Sequence, residues 1–394
     1  MSTKQSDIFK FNKFFWTFFA LWPGNIPYKY YKYFSFIYIT INFIIYNILL
    51  SINLIHTPRK VELLIPEMLF YFTEVTIAAK VLMMFVYRSK VKAILDLIDC
   101  DEFKGDDPET KSIIKKDNAI YKRGWVTYAI LGNFGYSTLV ILPLIASLIW
   151  KKKLELPICK YYFLPDEFRH KYFKYLHIYQ SFGKYGHMMY NVNIDSFIAG
   201  LMLIAITQMK VLNYKLTNLK GNASSKEDRK ELENAQIVKL NACLRHYDIL
   251  LRYCTSFQDM SDVVLFVQFG MGSIIICVTL YGLLLPSIKE STMFMVSYVV
   301  GMLSEIFIPS FLGTQISYQS EKLVDAAYNS EWIPRSEKFK KSLKIFMERA
   351  KTPIVLTGLK LFPLSLTTFI WVTKTAYSFL TLVRNVQDRQ EGKI

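Results

Sequence analysis

The most regular feature of this sequence is a series of apolar stretches that are long enough to cross a membrane as helices. A bilayer core about 30 Å thick needs roughly 20 helical residues, and uncharged or nearly uncharged runs of that length occur seven times. We therefore predict an all-α, polytopic membrane protein with seven transmembrane helices. Their approximate bounds are Tyr33–Ile55, Val61–Tyr87, Trp125–Trp150, Tyr175–Leu212, Val263–Leu285, Met293–Ile316 and Ile354–Val383.

The basic residues between these stretches predict the side of the membrane on which each loop lies. With the amino end in the cytosol, 31 of the 48 Lys and Arg residues fall in cytoplasmic segments and 13 fall outside, as the positive-inside rule requires. Seven basic residues from Lys151 to Lys174 run against this pattern. Seven spans that begin in the cytosol place the carboxyl end outside the cell.

Helical periodicity continues beyond the spans. In Val238–Phe257 apolar residues recur every three or four positions, so we expect the fourth to sixth helices to project into the cytosol and pack there. The predicted divisions are a cytoplasmic segment with a short interfacial helix (1–32), the first four spans (33–212) and a cytoplasmic loop with helices (213–258). Spans five and six with the next loop (259–334) and a cytoplasmic helix with span seven (335–394) follow.

Composition narrows the class of function. An apolar content of 52% with a mean hydropathy of +0.21 excludes an ordinary soluble enzyme. The net charge of +16 lies mostly in loops, so membrane lipid is an expected partner and nucleic acid is not. The sequence contains no metalloprotease, P-loop, serine-hydrolase or dinucleotide-binding motif, and its five histidines have no acidic or thiol ligand at matching spacing. We expect no enzymatic activity, no cofactor and no metal site.

Ionisable residues inside the spans are costly and are therefore candidates for function. Lys80 and Lys360 lie near the inner ends of their spans and are expected to snorkel to the membrane surface. Glu74 and Glu305 lie deeper, so each must face protein, water or a counter-charge. The other three are Lys184, Asp195 and Lys374.

The last 80 residues carry a sequence signature. It consists of Ser317-Tyr-Gln-Ser320, then Tyr328 and Trp332, then a basic amphipathic helix over Arg335–Ala350, and finally Phe362-Pro-Leu-Ser-Leu366 and Ala376-Tyr-Ser-Phe-Leu380. This order resembles the carboxyl-terminal signature of insect odorant receptors, whose length and inverted seven-span topology also match. The loop of about 45 residues between spans four and five is much shorter than that of the shared co-receptor. The chain therefore resembles a ligand-tuning subunit.

This resemblance implies an odorant-gated, non-selective cation channel that forms a heterotetramer with olfactory co-receptor subunits and binds a small volatile odorant. It implies the plasma membrane of an olfactory neuron dendrite as the location. The anchor between subunits would include Tyr328 and Trp332. The last helix would line the pore, and the family's gate positions correspond to Thr381 and Asn385. These two share a helical stripe with Tyr377, which recurs four residues earlier.

A site for small volatile compounds should be lined by aromatic and methionine side chains with a few polar groups that set orientation. The outer halves of spans two, three, four and six supply such residues. The predicted ligand-binding residues are Phe70, Tyr71, Glu74, Phe134, Ser137, Thr138, Tyr185, Met188, Met189, Tyr298 and Met302.

Three other classes stay open. A gustatory-receptor-type channel is the nearest, although its carboxyl-terminal motif differs from Val383-Arg384-Asn385 in this chain. A G-protein-coupled receptor would have the opposite topology, and glycosylation of the sequon Asn222-Ala-Ser224 would reveal it. A secondary transporter should show similarity between its two halves and helices broken at the midplane. Neither feature is visible in this sequence.

Overall fold

Long helices make up most of the chain in the computed structural model, which describes residues 4–24, 28–151, 153–219, 226–285 and 292–390. The sequon Asn222-Ala-Ser224 lies outside these residues. In chain order the helices are α1 Lys10–Phe18, α2 Tyr28–Ile39, α3 Tyr46–His56, α4 Val61–Val86, α5 Arg88–Ile98, α6 Pro108–Tyr136, α7 Leu142–Trp150, α8 Asp166–Lys171, α9 Phe173–Thr217, α10 Lys226–Leu284, α11 Thr292–Tyr328, α12 Glu337–Ala350 and α13 Leu366–Gln390.

Shorter elements join or precede these helices. Single π-helical segments make α2 continuous with α3 and α6 continuous with α7. The structure also has two 3-10 helices and a two-stranded antiparallel hairpin of β1 and β2. Their bounds are Thr40–Ile45 and Ser137–Ile141 for the π segments, Gln5–Phe9 and Asp101–Phe103 for the 3-10 helices, and Thr357–Gly358 and Phe362–Pro363 for the strands.

The predicted fold, all-α with seven spans, is confirmed. Among the described residues, six helical segments are long and apolar enough to cross a membrane, and they contain the first six predicted spans: Lys29–His56, Val61–Val86, Pro108–Trp150, Phe173–Thr217, Glu233–Leu284 and Thr292–Tyr328. Helix α13 is more polar, but its 25 residues give a length of about 38 Å at about 1.5 Å per residue. That length is sufficient for the seventh span.

The predicted start of the seventh span at Ile354 is wrong, because the β hairpin precedes α13. Leu359 and Lys360 have left-handed φ angles of 48° and 57°, which a continuous right-handed helix does not allow. The Leu364 N–H donates to the Leu356 carbonyl at 2.8 Å and closes the hairpin. Lys360 therefore lies at an exposed turn and is not a snorkelling residue inside a span.

Side-chain contacts attach this hairpin to two long helices. The Gln258 side chain of α10 donates to the Thr357 carbonyl and accepts from the Thr357 N–H, both at 2.9 Å. On α11, a Cβ atom at Gly313 would lie 2.2 Å from the Leu364 carbonyl oxygen. Only glycine allows the two backbones to approach so closely. The connection into α13 is therefore fixed by its neighbours.

Helix α6 begins with a capping box at Asp107. The Asp107 carboxylate accepts the Thr110 N–H at 2.7 Å, and Pro108 follows at the first helical position. This hydrogen bond to the backbone lowers the pKa of Asp107 below its usual range. Because the cap fixes the start, α6 begins well before the predicted third span at Trp125.

Three helices extend far beyond the thickness of a bilayer. The 45, 59 and 37 residues of α9, α10 and α11 correspond to about 68, 88 and 55 Å. The inner end of α9, the first half of α10, the inner end of α11 and α12 pack together around Leu216, Leu240, Leu323 and Leu343. The predicted packing of these helices is confirmed, and their location in the cytosol stays a prediction.

Helix α9 occupies the centre of the bundle, with 83% of its most apolar segment buried. The amino-terminal helix α1 is attached to it: Asn12 donates to the Asn193 carbonyl at 2.8 Å and accepts from the Tyr121 hydroxyl of α6 at 2.7 Å. Phe14 and Phe18 point away from this contact and are 62% and 58% exposed. One face of α1 thus packs against the bundle, and the opposite face is apolar and exposed.

Candidate functional site

A small cavity lies among α4, α6, α9 and α11, in the half of the bundle that the charge pattern places toward the outside. Its volume is about 120 Å³, close to the roughly 150 Å³ of an engineered apolar cavity that binds benzene. We call it the outer cavity. It is lined by Phe70, Thr73, Ile77, Tyr128, Leu131, Gly132, Gly135, Tyr136, Leu139, Lys184, Met188, Asn191, Val192, Phe294, Ser297, Tyr298, Gly301, Met302 and Glu305.

Glycines create much of this space. A Cβ atom at Gly135 of α6 or at Gly301 of α11 would have no atom of the described residues within 4 Å. At Gly132, one turn from Gly135, it would lie 3.0 Å from the Met188 sulfur. The absence of a side chain at Gly135 and Gly301 therefore leaves open space in the outer cavity, whereas Gly132 allows α6 to pack closely against Met188.

Few polar groups interrupt the apolar wall. The Tyr298 hydroxyl is hydrogen-bonded to the Thr73 hydroxyl and donates more weakly to the Leu69 carbonyl at 3.3 Å. The Tyr298 ring packs against Phe70 and Phe294, with centroids 6.4 and 5.3 Å apart. A hydroxyl pair held on an aromatic wall can orient a ligand that carries one hydrogen-bonding group.

Lys184 places a positive charge in the wall of the outer cavity, where it pairs with the buried carboxylate of Glu74. Its Nζ atom lies 3.2 Å from Glu74 Oε1 and 5.1 Å from the centre of the Phe70 ring. The second oxygen of Glu74 is hydrogen-bonded to Nδ1 of His187, whose Nε2 lies 2.7 Å from the Asn42 carbonyl. This cluster fixes Lys184 against an aromatic face, where a cation is favourable.

A second charged cluster forms the floor of the outer cavity. Lys80 Nζ lies 2.6 Å from Asp195 Oδ1, 2.5 Å from Glu305 Oε1 and 2.7 Å from Asn191 Oδ1. The Tyr128 hydroxyl donates to the other oxygen of Asp195 at 3.0 Å. The prediction that Lys80 snorkels is wrong: its side chain is 0% exposed, because carboxylates from α9 and α11 meet it inside the bundle.

Four of the predicted ligand-binding residues line the outer cavity, and the others do not. Phe70, Met188, Tyr298 and Met302 are in its wall, and Glu74 is one contact behind, through Lys184. Tyr185 packs against the Tyr136 ring, and Met189 is buried in the core. Tyr71 packs in a separate cluster near Leu50, and Phe134 is 47% exposed. The hydroxyls of Ser137 and Thr138 donate to backbone carbonyls one turn earlier.

Sequence reasoning missed the residues of α6 that face the cavity. A helical stripe at three- and four-residue spacing is formed by Tyr128, Leu131, Gly132 and Gly135, and Leu139 of the following π segment continues it. The aromatic and hydroxyl residues predicted in this segment, Phe134, Ser137 and Thr138, lie on faces that do not line the cavity. A stripe of small residues within a span was the signal that could have located the wall.

The predicted pore residues lie on the open side of α13. Val372 and Ala376 are buried against the rest of the protein, whereas Tyr377 is 65% exposed, Asn385 is exposed and Thr381 is partly exposed. The predicted anchor residues are also near the surface: Tyr328 is 66% exposed, and the indole N–H of Trp332 donates to the Tyr328 carbonyl at 3.1 Å. Both groups therefore lie at or near the surface of this chain.

Comparison with known proteins gives one consistent family. The model of the family described as 7tm Odorant receptor matches residues 60–377. Odorant receptor 42a of Drosophila melanogaster is 24% identical over 52% of this chain and 50% of its own length. Odorant receptor 10 of Aedes albopictus is 23% identical over 50% of this chain and 51% of its own length. The matched region thus spans about half the length of these curated relatives.

Solved structures agree on the fold. The insect olfactory receptor OR5 from Machilis hrabei, solved in complex with eugenol, superposes with a TM-score of 0.84 over 96% of this chain and 97% of its own, at 18% sequence identity. A second solved structure of the same receptor superposes with a TM-score of 0.79 over 91% of this chain and 90% of its own, at 18% sequence identity. At this identity the likeness concerns the arrangement of the helices.

Proposed function

This chain belongs to the odorant receptor family, and we propose that it is a ligand-tuning subunit of an odorant-gated, non-selective cation channel. It would assemble with olfactory co-receptor subunits as a heterotetramer in the plasma membrane of an olfactory neuron dendrite. The family membership favours this function over the gustatory-receptor-type and G-protein-coupled alternatives.

The outer cavity carries the proposal. It is small and apolar over most of its wall, and its charged residues Lys184 and Glu305 are paired with other side chains. The Tyr298–Thr73 hydroxyl pair then suits an uncharged volatile compound with an apolar body and a hydrogen-bonding group. The similar receptor OR5 was solved in complex with eugenol. We expect Tyr298 and Thr73 to hold the polar group of the ligand and Phe70, Met188 and Met302 to cover its apolar part.

Helix α13 supports the channel part of the proposal. Most of its circumference is open, and Tyr377, Thr381 and Asn385 place hydroxyl and amide groups along that open side. Polar groups along one side of a membrane-spanning helix can line a water-filled path between subunits. The exposed Tyr328 and the neighbouring Trp332 at the inner end are the proposed contacts that hold the subunits together.

Helix α11 provides a physical link between the cavity and α13. It contributes Tyr298, Met302 and Glu305 to the cavity, and further along Phe307 packs edge to face on Phe369 of α13 at 5.3 Å. The Thr314 hydroxyl also accepts the Leu366 N–H at 2.9 Å, at the first residue of α13. A ligand that binds one position of α11 more tightly than another would shift the pore toward the arrangement joined to that position.

Whole-cell recording tests the function directly. Cells that express this chain, the co-receptor, or both are challenged with esters, alcohols, terpenes, phenols and aldehydes at equal concentration. We expect a fast cation current only in cells with both proteins, and we expect it to persist when G-protein signalling is blocked.

Two controls make this test specific to the outer cavity. Gly301→Leu fills the cavity, whereas Gly270→Leu adds the same side chain to an exposed position of α10. Loss of the response in Gly301→Leu but not in Gly270→Leu is the expected result. A response of equal size in both variants at equal surface expression would remove the outer cavity from the proposal.

A further inference from the structure

A second cavity lies on the cytoplasmic side of the Lys80 cluster, whereas the outer cavity lies on its other side. Its volume is about 220 Å³, larger than that of the outer cavity, and we call it the inner cavity. Tyr128 and Glu305 belong to both walls. The inner cavity is lined by Ile120, Tyr121, Gly124, Trp125, Tyr128, Asp195, Ser196, Ile198, Ala199, Leu203, Leu265, Gln268, Glu305, Ile308, Pro309 and Leu312.

The inner cavity has a mouth on the apolar surface of the bundle. Ile120 is 50% exposed and Gly124 is exposed, one turn apart on α6. Across the opening, Ile308 and Leu312 of α11 are half-buried. A Cβ atom at Gly124 would have no described atom within 4 Å. Ile308 and Leu312 lie within the predicted sixth span, and Ile120 and Gly124 lie just before the predicted third span, which begins at Trp125. The mouth therefore opens at the inner boundary of the hydrocarbon.

One hydrogen-bonding group in the wall lacks a partner. Gln268 is 3% exposed, and its side-chain N–H donates to the Glu305 carbonyl at 2.8 Å. Its Oε1 atom accepts no hydrogen bond from the residues that the structure describes. A buried acceptor without a donor is unfavourable, so an occupant that carries an O–H or N–H group would gain by reaching it.

We propose that the inner cavity is a second ligand site for a small amphiphile with an apolar body and one hydrogen-bond donor, which enters from the bilayer. The volume suits a molecule somewhat larger than benzene, for which about 150 Å³ suffices, such as a medium-chain or monocyclic alcohol. The same chemistry occurs in volatile alcohols dissolved in the membrane and in the hydroxyl-bearing ends of membrane lipids.

Occupancy of this site should affect the outer cavity. Tyr128 and Glu305 contact both spaces, and they are joined through Asp195 and Lys80. An occupant that moves either side chain changes the wall of the outer cavity, and the coupling must act equally in both directions. The inner site would therefore modulate the apparent affinity for the odorant without competing for its place.

Photolabelling of the purified full chain in phosphatidylcholine nanodiscs tests the site without any need for current. The probe is a ten-carbon alcohol with a mid-chain diazirine, and the labelled peptides are identified by mass spectrometry. We expect label on α6 near Ile120 and on α11 near Leu312. Unlabelled decanol should displace that label.

Two variants separate the inner site from general membrane partitioning. Gly124→Leu, which fills the mouth, should reduce the label about fivefold, whereas Gly270→Leu, exposed on α10, should leave it unchanged. Label that is not displaced by decanol, that spreads over all lipid-facing helices, or that is equal in Gly124→Leu would overturn the proposal.

The role of the unpaired acceptor is tested with a matched pair of probes. Gln268→Met keeps the approximate side-chain size and removes the oxygen. It should weaken labelling by the alcohol about fivefold, as for loss of one hydrogen bond, and should not affect a decane probe that lacks the hydroxyl. Equal effects on both probes would show that Gln268 does not recognise the donor.

The two sources of the ligand are distinguished by lipid composition. If a membrane sterol occupies the site, adding cholesterol to the nanodiscs should suppress the label on α6 and α11. If the site takes volatile alcohols, the label should persist. Both results leave the second site in place, and the failure of the channel proposal would leave this binding measurement unaffected.

Discussion

Lys80 Nζ lies 2.6 Å from Asp195 Oδ1, and the lysine side chain has no exposed surface. Glu305 shares the same ammonium group from a third helix. Charges in a bilayer-spanning bundle are tolerated when they are paired, and this group also separates the two cavities. Its stability should therefore matter both for folding and for the shape of each ligand space.

Replacement of Lys80 should be strongly destabilising. In Lys80→Met the two carboxylates of Asp195 and Glu305 remain buried without their cation, and breaking a buried pair costs about 3–5 kcal/mol. We expect a clear fall in the melting temperature of the purified protein, measured by fluorescence-detected size exclusion. Lys90→Met is the control, because the Lys90 and Asp259 side chains are 43% and 57% exposed. Equal melting temperatures for both variants would contradict the structural role of the cluster.

Adding one methyl group inside the outer cavity should retune the receptor. Gly135→Ala introduces a Cβ atom into open space, so the fold is retained while the volume of about 120 Å³ is reduced. We expect the concentration for half-maximal current to rise about tenfold for the largest active odorant and less for smaller ones. Gly270→Ala has the same open surroundings outside the cavity and should match the wild type. A uniform change across odorant sizes would speak against a volume effect.

Removing the hydroxyl of Tyr298 should separate polar from apolar odorants. Tyr298→Phe keeps the ring that packs on Phe70 and Phe294 but loses the bond to Thr73. One hydrogen bond corresponds to about 0.5–1.5 kcal/mol. We therefore expect a two- to tenfold lower sensitivity to alcohols and phenols, with little change for hydrocarbons of similar size, in dose–response recordings. The hydroxyl does not orient the ligand if both classes respond alike.

The close approach of α11 to the hairpin before α13 should tolerate no side chain. In Gly313→Ala the new Cβ atom would clash with the Leu364 carbonyl oxygen at 2.2 Å. The hairpin must then move, and α13 loses the close contact with α11 that positions its first residues. We expect a lower melting temperature and a reduced maximal current at equal surface expression. Gly301→Ala, on the same helix, enters open space and should keep the melting temperature of the wild type. Similar melting temperatures for the two variants would be inconsistent with the close contact.

Accessibility of introduced cysteines should show which face of α13 meets water. Thr381→Cys lies on the partly open side, whereas Ala376→Cys is 1% exposed within the chain. A membrane-impermeant thiol reagent should reduce the odorant-evoked current in Thr381→Cys within minutes and leave Ala376→Cys unchanged. If Ala376→Cys reacts and Thr381→Cys does not, the pore would lie on another side of α13.

The spans could be predicted because apolar length follows directly from the thickness of a bilayer. The start of the seventh span could not, since residues from Ile354 to Leu364 are apolar enough to resemble a helix. Their hairpin depends on contacts with Gln258 and Gly313, which come from distant parts of the chain. Local sequence does not contain that information.

The sequence likewise could not predict which residues pair with the buried charges. Glu74 and Glu305 could be expected to face a counter-charge, but Lys184 is 110 residues from Glu74 and Lys80 is 225 residues from Glu305. The cavity wall was only partly predicted for a different reason. Selection by side-chain chemistry finds Phe70, Met188, Tyr298 and Met302, whereas empty space at Gly135 and Gly301 depends on how the helices are spaced.

The glycines of the outer cavity have a consequence for the evolution of this protein. Every glycine codon becomes an alanine codon by a single base change, and at Gly135 and Gly301 the added carbon meets no described atom within 4 Å. If the outer cavity binds the odorant as proposed, a new odour preference would need only one such mutation and no compensating change elsewhere. Duplicated copies of such a gene can diverge in the compounds they detect while each remains foldable at every step.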